Sequence, residues 1–245
     1  MDEESSLDFT FWPSFADLML ALVLILVLVI FLITVVIAAG TVNLSTVEKN
    51  QSAVINEIAS VYGSAGVEVT KEANGASTYF ISITGPESKD LVIRNELSLQ
   101  RITFTDNILF LPDDYQLNPR GERVLEKVGA ALKDQLAKKN IREIQIQGHA
   151  DTDKTSRHGS NLELASLRAM RVFEFLQKDI GINPAEHLMS ATTFGEYKPV
   201  QRSNDEFNYD EAKLREHNGT PELKGHNRRI ELMLFYRVNE VTAHK

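Results

Sequence analysis

Ile141-Arg142-Glu143-Ile144-Gln145-Ile146-Gln147-Gly148-His149-Ala150-Asp151 spaces its isoleucines up to Gln147, then passes through a glycine to an acid. The spacing predicts a strand over 141–147 that ends by delivering Asp151 to a turn. The next periodic stretch, 162–180, predicts a helix. Upstream, 119–139 reads as an amphipathic helix with Val124, Leu125, Val128, Leu132 and Leu136 on one face, and 102–111 as a strand. Downstream, 188–194 and 230–236 read as strands. Helices crossing between strands in this order predict an α/β chain, a two-layer sandwich of roughly 135 residues, large enough to hold its own core. Before it, Gly63, Gly66, Asn74-Gly75 and Gly85-Pro86 punctuate strand-like segments at 66–71 and 78–84, with Asn74-Gly75 as a hairpin turn.

The 245 residues carry 26 Lys and Arg against 34 Asp and Glu, a net charge of -8, and no cysteine. That excludes a zinc-thiolate site, a disulfide scaffold, a thiol nucleophile and a generally basic nucleic-acid binder. A mean hydropathy of -0.18 conceals one apolar block. Every residue from 18 to 33 is apolar and the run continues to Gly40, about 35 Å as a helix and enough for one membrane span. A cleavable signal peptide is the rival reading, but residues 1–17 lack the Lys or Arg of a basic n-region. The first cation is Lys49, which taken alone points to an outside N-terminus.

Asp17 is the only ionisable side chain between Asp8 and Glu48, in Pro13-Ser14-Phe15-Ala16-Asp17-Leu18-Met19-Leu20, with Phe11, Trp12 and Phe15 as an interfacial belt. A carboxylate at the edge of a span marks an ion pathway. Alternatively, Ser14 and Asp17 have the spacing of a capping box. After the span, Val47, Val54, Ile58 and Val61 form one helical seam. It would suit a coiled-coil or plug segment joining two spans, or an amphipathic helix packed on its own domain.

Gly148-His149-Ala150-Asp151, then Asn161-Leu162-Glu163-Leu164-Ala165-Ser166-Leu167-Arg168-Ala169, then Asn227-Arg228-Arg229-Ile230-Glu231 together resemble the OmpA-like peptidoglycan-binding domain family over residues 102–237. The resemblance implies that Asp151 and Arg168 bind peptidoglycan. The acid would take the ammonium and the planar guanidinium the carboxylate of a diaminopimelate-type stem peptide, with Asn161 and Arg228 supporting the pocket. The sequence departs from the family at Ala150, Ala165 and Thr193, and in a segment from Asp151 to Arg168 that is about two residues longer than the family's. Without the family pattern, Asp151 would be a turn residue, Arg168 a surface helix residue, and Arg228-Arg229 solvated charges beside an edge strand. A metal cluster of His149, Asp151, Asp153 and His158, or a nucleophile at Ser156, Ser160 or Ser166, has no motif behind it.

A wall-binding domain faces the periplasm, which would put the N-terminus in the cytoplasm and override the lysine argument. A single span with an acid near its cytoplasmic end, joined to such a domain, resembles the B subunits of ion-driven stators, the MotB-like family. There the ion-carrying acid would be Asp17. The acidic tail Asp2-Glu3-Glu4 and the run 13–24 are similar to the B subunits of Zorya anti-phage systems, the ZorB type. That resemblance implies a non-enzymatic motor subunit in the bacterial inner membrane with no cofactor besides a translocated H+. Its partners would be a second copy of the chain (a homodimer), five copies of a MotA-like A subunit, the peptidoglycan stem peptide and membrane lipid, with no direct nucleic acid. A flagellar-type stator or a passive wall tether are the alternatives. The expected organisation is a cytoplasmic tail at 1–14, a transmembrane helix at 15–40, a linker or plug helix at 41–62, a β-rich extension at 63–101 and the OmpA-like domain at 102–245.

Overall fold

A computed structural model describes residues 8–62, 67–71, 76–82, 91–203 and 206–237. Helix α1 (Asp8–Tyr62) runs for 55 residues. The boundary between two compact units, residues 1–45 and 46–245, falls within it.

In the first unit, Trp12–Ala38 is a 27-residue apolar stretch with none of it buried, about 40 Å long against a hydrocarbon core of about 30 Å. Thr34 hides its hydroxyl by donating to the Ile30 carbonyl at 2.7 Å. The helix starts at Asp8, so Ser14 and Asp17 both lie inside it. This overturns the capping-box reading, because an N-cap residue must sit outside the helical run.

The second unit is built on one seven-stranded sheet in the order β1-β2-β3-β4-β7-β5-β6. The strands are β1 (Val67–Lys71), β2 (Ser77–Ile81), β3 (Leu91–Asn95), β4 (Leu99–Thr105), β5 (Ile141–His149), β6 (Leu188–Gly195) and β7 (Arg229–Tyr236). Only β5 and β6 pair in parallel; the other neighbours are antiparallel. Helices α2 (Asp106–Leu109), α3 (Pro119–Ala137), α4 (Asn161–Lys178), α5 (Glu211–Glu216) and α6 (Pro221–Asn227) complete the domain.

Register and burial assign the faces. Ile102 pairs with Leu232 and Leu232 with Ile146, all fully buried, so this row faces the core. Val124, Leu125, Val128 and Leu132 of α3 and Val172 and Leu176 of α4 pack into the same cluster. So do Val47, Val54, Ile55 and Ile58. The second half of α1 is therefore an amphipathic helix packed on its own domain, the second of the two expected arrangements. Asn118 and Ser160 start α3 and α4 by accepting from backbone N–H groups of the first turn, and Pro119 occupies the first helical position of α3.

Three local expectations change. The strand expected at 102–111 stops at Thr105, where Asp106-Asn107, poor strand residues, open the single turn of α2. β3 was not read in advance, since Leu91-Val92-Ile93 is too short a run to separate strand from helix. The boundary expected at 101/102 falls inside β4, and β1 to β3, in the expected β-rich extension, continue the same sheet. The hairpin turn at Asn74-Gly75 lies outside the described residues.

Candidate functional site

Asp151 follows the C-terminal end of β5, the penultimate strand of the sheet, between β7 and β6. Gly148 makes that placement possible: a Cβ there would lie 2.1 Å from the Ala165 carbonyl oxygen, so only glycine lets α4 lie this close to β5. Ala165 is itself fully buried at the contact. Ala150 donates its N–H to the Gly195 carbonyl at 2.8 Å, tying the strand end to β6.

The loop from Asp151 to α4 is closed by its own side chains. Asp151 Oδ1 accepts from the Asp153 N–H at 3.0 Å, forming an Asx turn. Asn161 Nδ2 donates to the Asp151 carbonyl at 3.0 Å, while its Oδ1 accepts from Thr155 N–H at 3.2 Å. Asn161, Leu164 and Arg168 are spaced to share one face of α4. The Arg168 side chain is buried and donates from Nε to the Asp114 carbonyl at 2.8 Å, with its guanidinium 5.2 Å from the centre of the Phe110 ring.

Asn227 ends α6, Arg228 caps it and Arg229 opens β7, so these neighbouring side chains serve different tasks. Asn227 accepts from Val200 N–H at 2.9 Å and donates to the His217 carbonyl and Asn218 Oδ1. Arg228 forms an ion pair with Asp151. Arg229 turns to the sheet face away from the core, where its Nε donates to Glu231 Oε1 at 2.7 Å and both are buried. These arginines do not flank an edge strand, because β7 lies between β4 and β5.

Asp151, Asn161, Arg168 and Arg228 line one cavity of about 580 Å³, together with Phe110 and Asp113. Four of these six lining residues were expected from the sequence; Phe110 and Asp113 were not. Asp113 carries the more distinctive chemistry. It accepts from the hydroxyls of Thr155 and Ser156 and from Ser156 N–H at 2.9 Å. These hydrogen bonds, with Ser156 first, hold its carboxyl far below the usual carboxylate range. Lys224 of α6 meets Asp153 at 2.5 Å on the same rim. Neither clamp could be read from spacing, since each joins segments distant in the chain.

On the sheet face away from the core, His149 stacks on Phe194 and lies 3.7 Å from Glu231. Burial, followed by the charge of Arg229, pushes its pKa down to about 3. Burial pushes Glu231 the other way, but Arg229, His149 and Arg101 outweigh it and hold the carboxyl down at about 2. His158 lies edge-on to Tyr115. Among the described residues no group of three or more His, Asp or Glu side chains comes together as metal ligands would. Ser156 serves Asp113 and Ser160 caps α4. Asp17 belongs to the first unit, where it lies on the surface of α1 within the apolar stretch Trp12–Ala38.

Residues 109–211 match the sequence pattern of the OmpA family. A solved MotB-like protein from Desulfovibrio vulgaris superposes with a TM-score of 0.55 at 19% identity, covering 84% of this chain and 99% of that one. The periplasmic domain of Helicobacter pylori MotB aligns at 21% identity over 71% of this chain and 91% of that one, with a TM-score of 0.48. The peptidoglycan-associated lipoprotein from Burkholderia pseudomallei aligns at 28% identity over 53% of this chain and 88% of that one, with a TM-score of 0.34. No curated protein matches. The chain is thus an N-terminal apolar helix followed by an OmpA-like domain of mixed α/β sheet, with the fold of a solved MotB-like protein.

Proposed function

We propose that the OmpA-like domain holds peptidoglycan in the cavity between Asp151 and Arg168, and that the chain is the B subunit of a MotA/MotB-like motor in the inner membrane. The observation that carries the first part is the joint burial of an acid and an arginine in the walls of one cavity. A stem peptide with a diaminopimelate-type residue offers an ammonium and a carboxylate to such a pair. The second part rests on Asp17 standing within the long apolar helix that also bears the domain. The N-terminus is then cytoplasmic and the domain periplasmic. Two copies of the chain work with five copies of a MotA-like partner, and H+ passes by way of Asp17.

Within that class we assign the Zorya anti-phage type over the flagellar type, on the acidic start Asp2-Glu3-Glu4 and the run 13–24. The deciding experiment expresses the full chain with its neighbouring genes. Phage protection that depends on Asp17, with no restored swimming in a stator-deleted strain, supports the assignment; restored swimming without protection overturns it. Retention of the solubilised full chain on purified sacculi tests the wall-binding part separately.

A further inference from the structure

Asp151 already has a cation of its own. Its Oδ2 is paired with Arg228, its Oδ1 is taken by the Asp153 N–H, and its side chain is only 5% exposed. An incoming ammonium therefore competes with a tethered guanidinium for a buried carboxylate. The two arginines of the cavity differ in their freedom to move. Arg168 is 2% exposed and bonded to a backbone carbonyl over Phe110. The Arg228 side chain is 40% exposed, and among the described residues Asp151 is its one side-chain partner. Its backbone is fixed on both sides, by Asn227 through Val200 and Asn218, and by Arg229 through Glu231. With its own N–H donating to the Lys224 carbonyl at 3.0 Å, the freedom of Arg228 lies in its half-exposed side chain.

We infer that Arg228 is the specificity-determining residue of the cavity, releasing Asp151 only to a ligand that brings a carboxylate for the displaced guanidinium. The inference rests on the wall-binding reading of this cavity. A simple amine that displaced Arg228 would exchange one ion pair for another while the guanidinium moved into water, so it gains little. An amino-acid-type zwitterion makes two pairs where there was one: ammonium to Asp151, and carboxylate to Arg228 alongside the fixed Arg168. The selection is therefore for both charges on one ligand, with Arg168 as the fixed cation of the wall and Arg228 as the mobile one.

The test is competition for retention of the solubilised full chain on purified sacculi, with meso-diaminopimelate and with cadaverine, a diamine that lacks carboxylates. Wild type should be released by the zwitterion and resist cadaverine. In Arg228→Ala and Arg228→Gln, sacculus retention should weaken while cadaverine becomes a better competitor by about tenfold. Arg228→Lys should restore the original order. A structural role alone would weaken both competitors in parallel, and that outcome, or an unchanged ranking, overturns the inference. Arg228→Gln, neutral and half exposed, guards against misfolding, with an unchanged melting temperature as its control. If wild type is not retained on sacculi at all, the wall-binding reading falls and this inference falls with it.

Discussion

Gln100, in β4, donates from Nε2 to the backbone carbonyl of Gln51 in α1 at 3.0 Å, and Gln51 answers by donating to the carbonyls of Glu96 at 2.9 Å and Leu99 at 3.3 Å. Gln100 also donates to Asn95 Oδ1 and accepts from the Tyr236 hydroxyl at 2.8 Å. All four side chains are buried. Within the domain, this network sets the register of the α1 segment on the sheet, because apolar packing alone would tolerate a slide that these hydrogen bonds do not.

Gln100→Leu should therefore destabilise the domain by about 1–3 kcal/mol, since the Tyr236 hydroxyl and the Gln51 carbonyl would lose a buried partner. Urea unfolding of the full chain in detergent measures it. An unchanged midpoint would show that the network contributes nothing to the docking of residues 46–62.

Gly148→Ala should be worse than its single methyl suggests. The new Cβ meets backbone, the Ala165 carbonyl oxygen at 2.1 Å, which cannot rotate away as a side chain could. Helix α4 must back off from β5, taking Arg168 with it. A cost of about 1–3 kcal/mol or more is expected from overpacking, with sacculus retention lost before the fold is. Thermal melting and pull-down on the same sample separate the two effects.

The strands and helices around this contact were legible because their cores repeat: Ile144 and Ile146 in β5, and Val124, Val128 and Leu132 in α3, each follow the period of their element. The cavity residues were legible only through a resemblance, since an Asp after a strand and an Arg in a helix have ordinary reasons to be there. Asp113 escaped because its role depends on Thr155 and Ser156, more than forty residues away. The short polar helices α5 and α6 escaped as well: α5 has no buried residue and α6 only Asn227, so no apolar period exists to be read. Asp210 and Thr220-Pro221, their capping residues, were the local signals available.

Asp151→Ala and Arg168→Lys should both abolish retention on sacculi, yet differ in stability. Removing the Asp151 carboxylate frees Arg228, already 40% exposed, to be hydrated, so the fold should lose little. Arg168 is buried and supplies a donor to the Asp114 carbonyl, and lysine lacks its planar fork. That variant should lose about 1–3 kcal/mol as well. Full retention by both variants would show that the cavity is not the wall site.

Acid should loosen the domain from the far face of the sheet. The folded-state pKa of His149 is depressed to about 3 from 6.5, so between those values the unfolded chain binds the proton and the folded one does not. Stability is therefore complete above pH 6.5 and falls toward pH 3, by up to about 1.4 kcal/mol per pH unit for one proton. Glu231, depressed to about 2 from 4.5, adds a second loss of the same sign below pH 4.5. His149 faces Glu231 and Arg229 of β7, Lys198 of the loop after β6 and the Phe194 ring. His149→Gln should flatten the melting temperature between pH 6.5 and 4.5 and make the fall below 4.5 shallower, leaving the part that Glu231 contributes. An identical profile in the variant would mean that His149 does not titrate as its burial requires.

Asp17 and Asp151 belong to separate compact units, so their functions should separate by mutation. Asp17→Asn keeps the size and hydrogen-bonding capacity of the side chain but removes its ability to take up and release a proton. In a motor subunit that change should abolish phage protection while sacculus retention stays at the wild-type level. Asp151→Ala should lose retention while the chain still inserts in the membrane and still assembles with its A partner. A passive tether makes the opposite forecast for the first variant, because holding the wall needs no proton at Asp17. Phage plating efficiency and sacculus pull-down, run on both variants, distinguish the two. Protection that survives Asp17→Asn would remove the motor and leave the anchor.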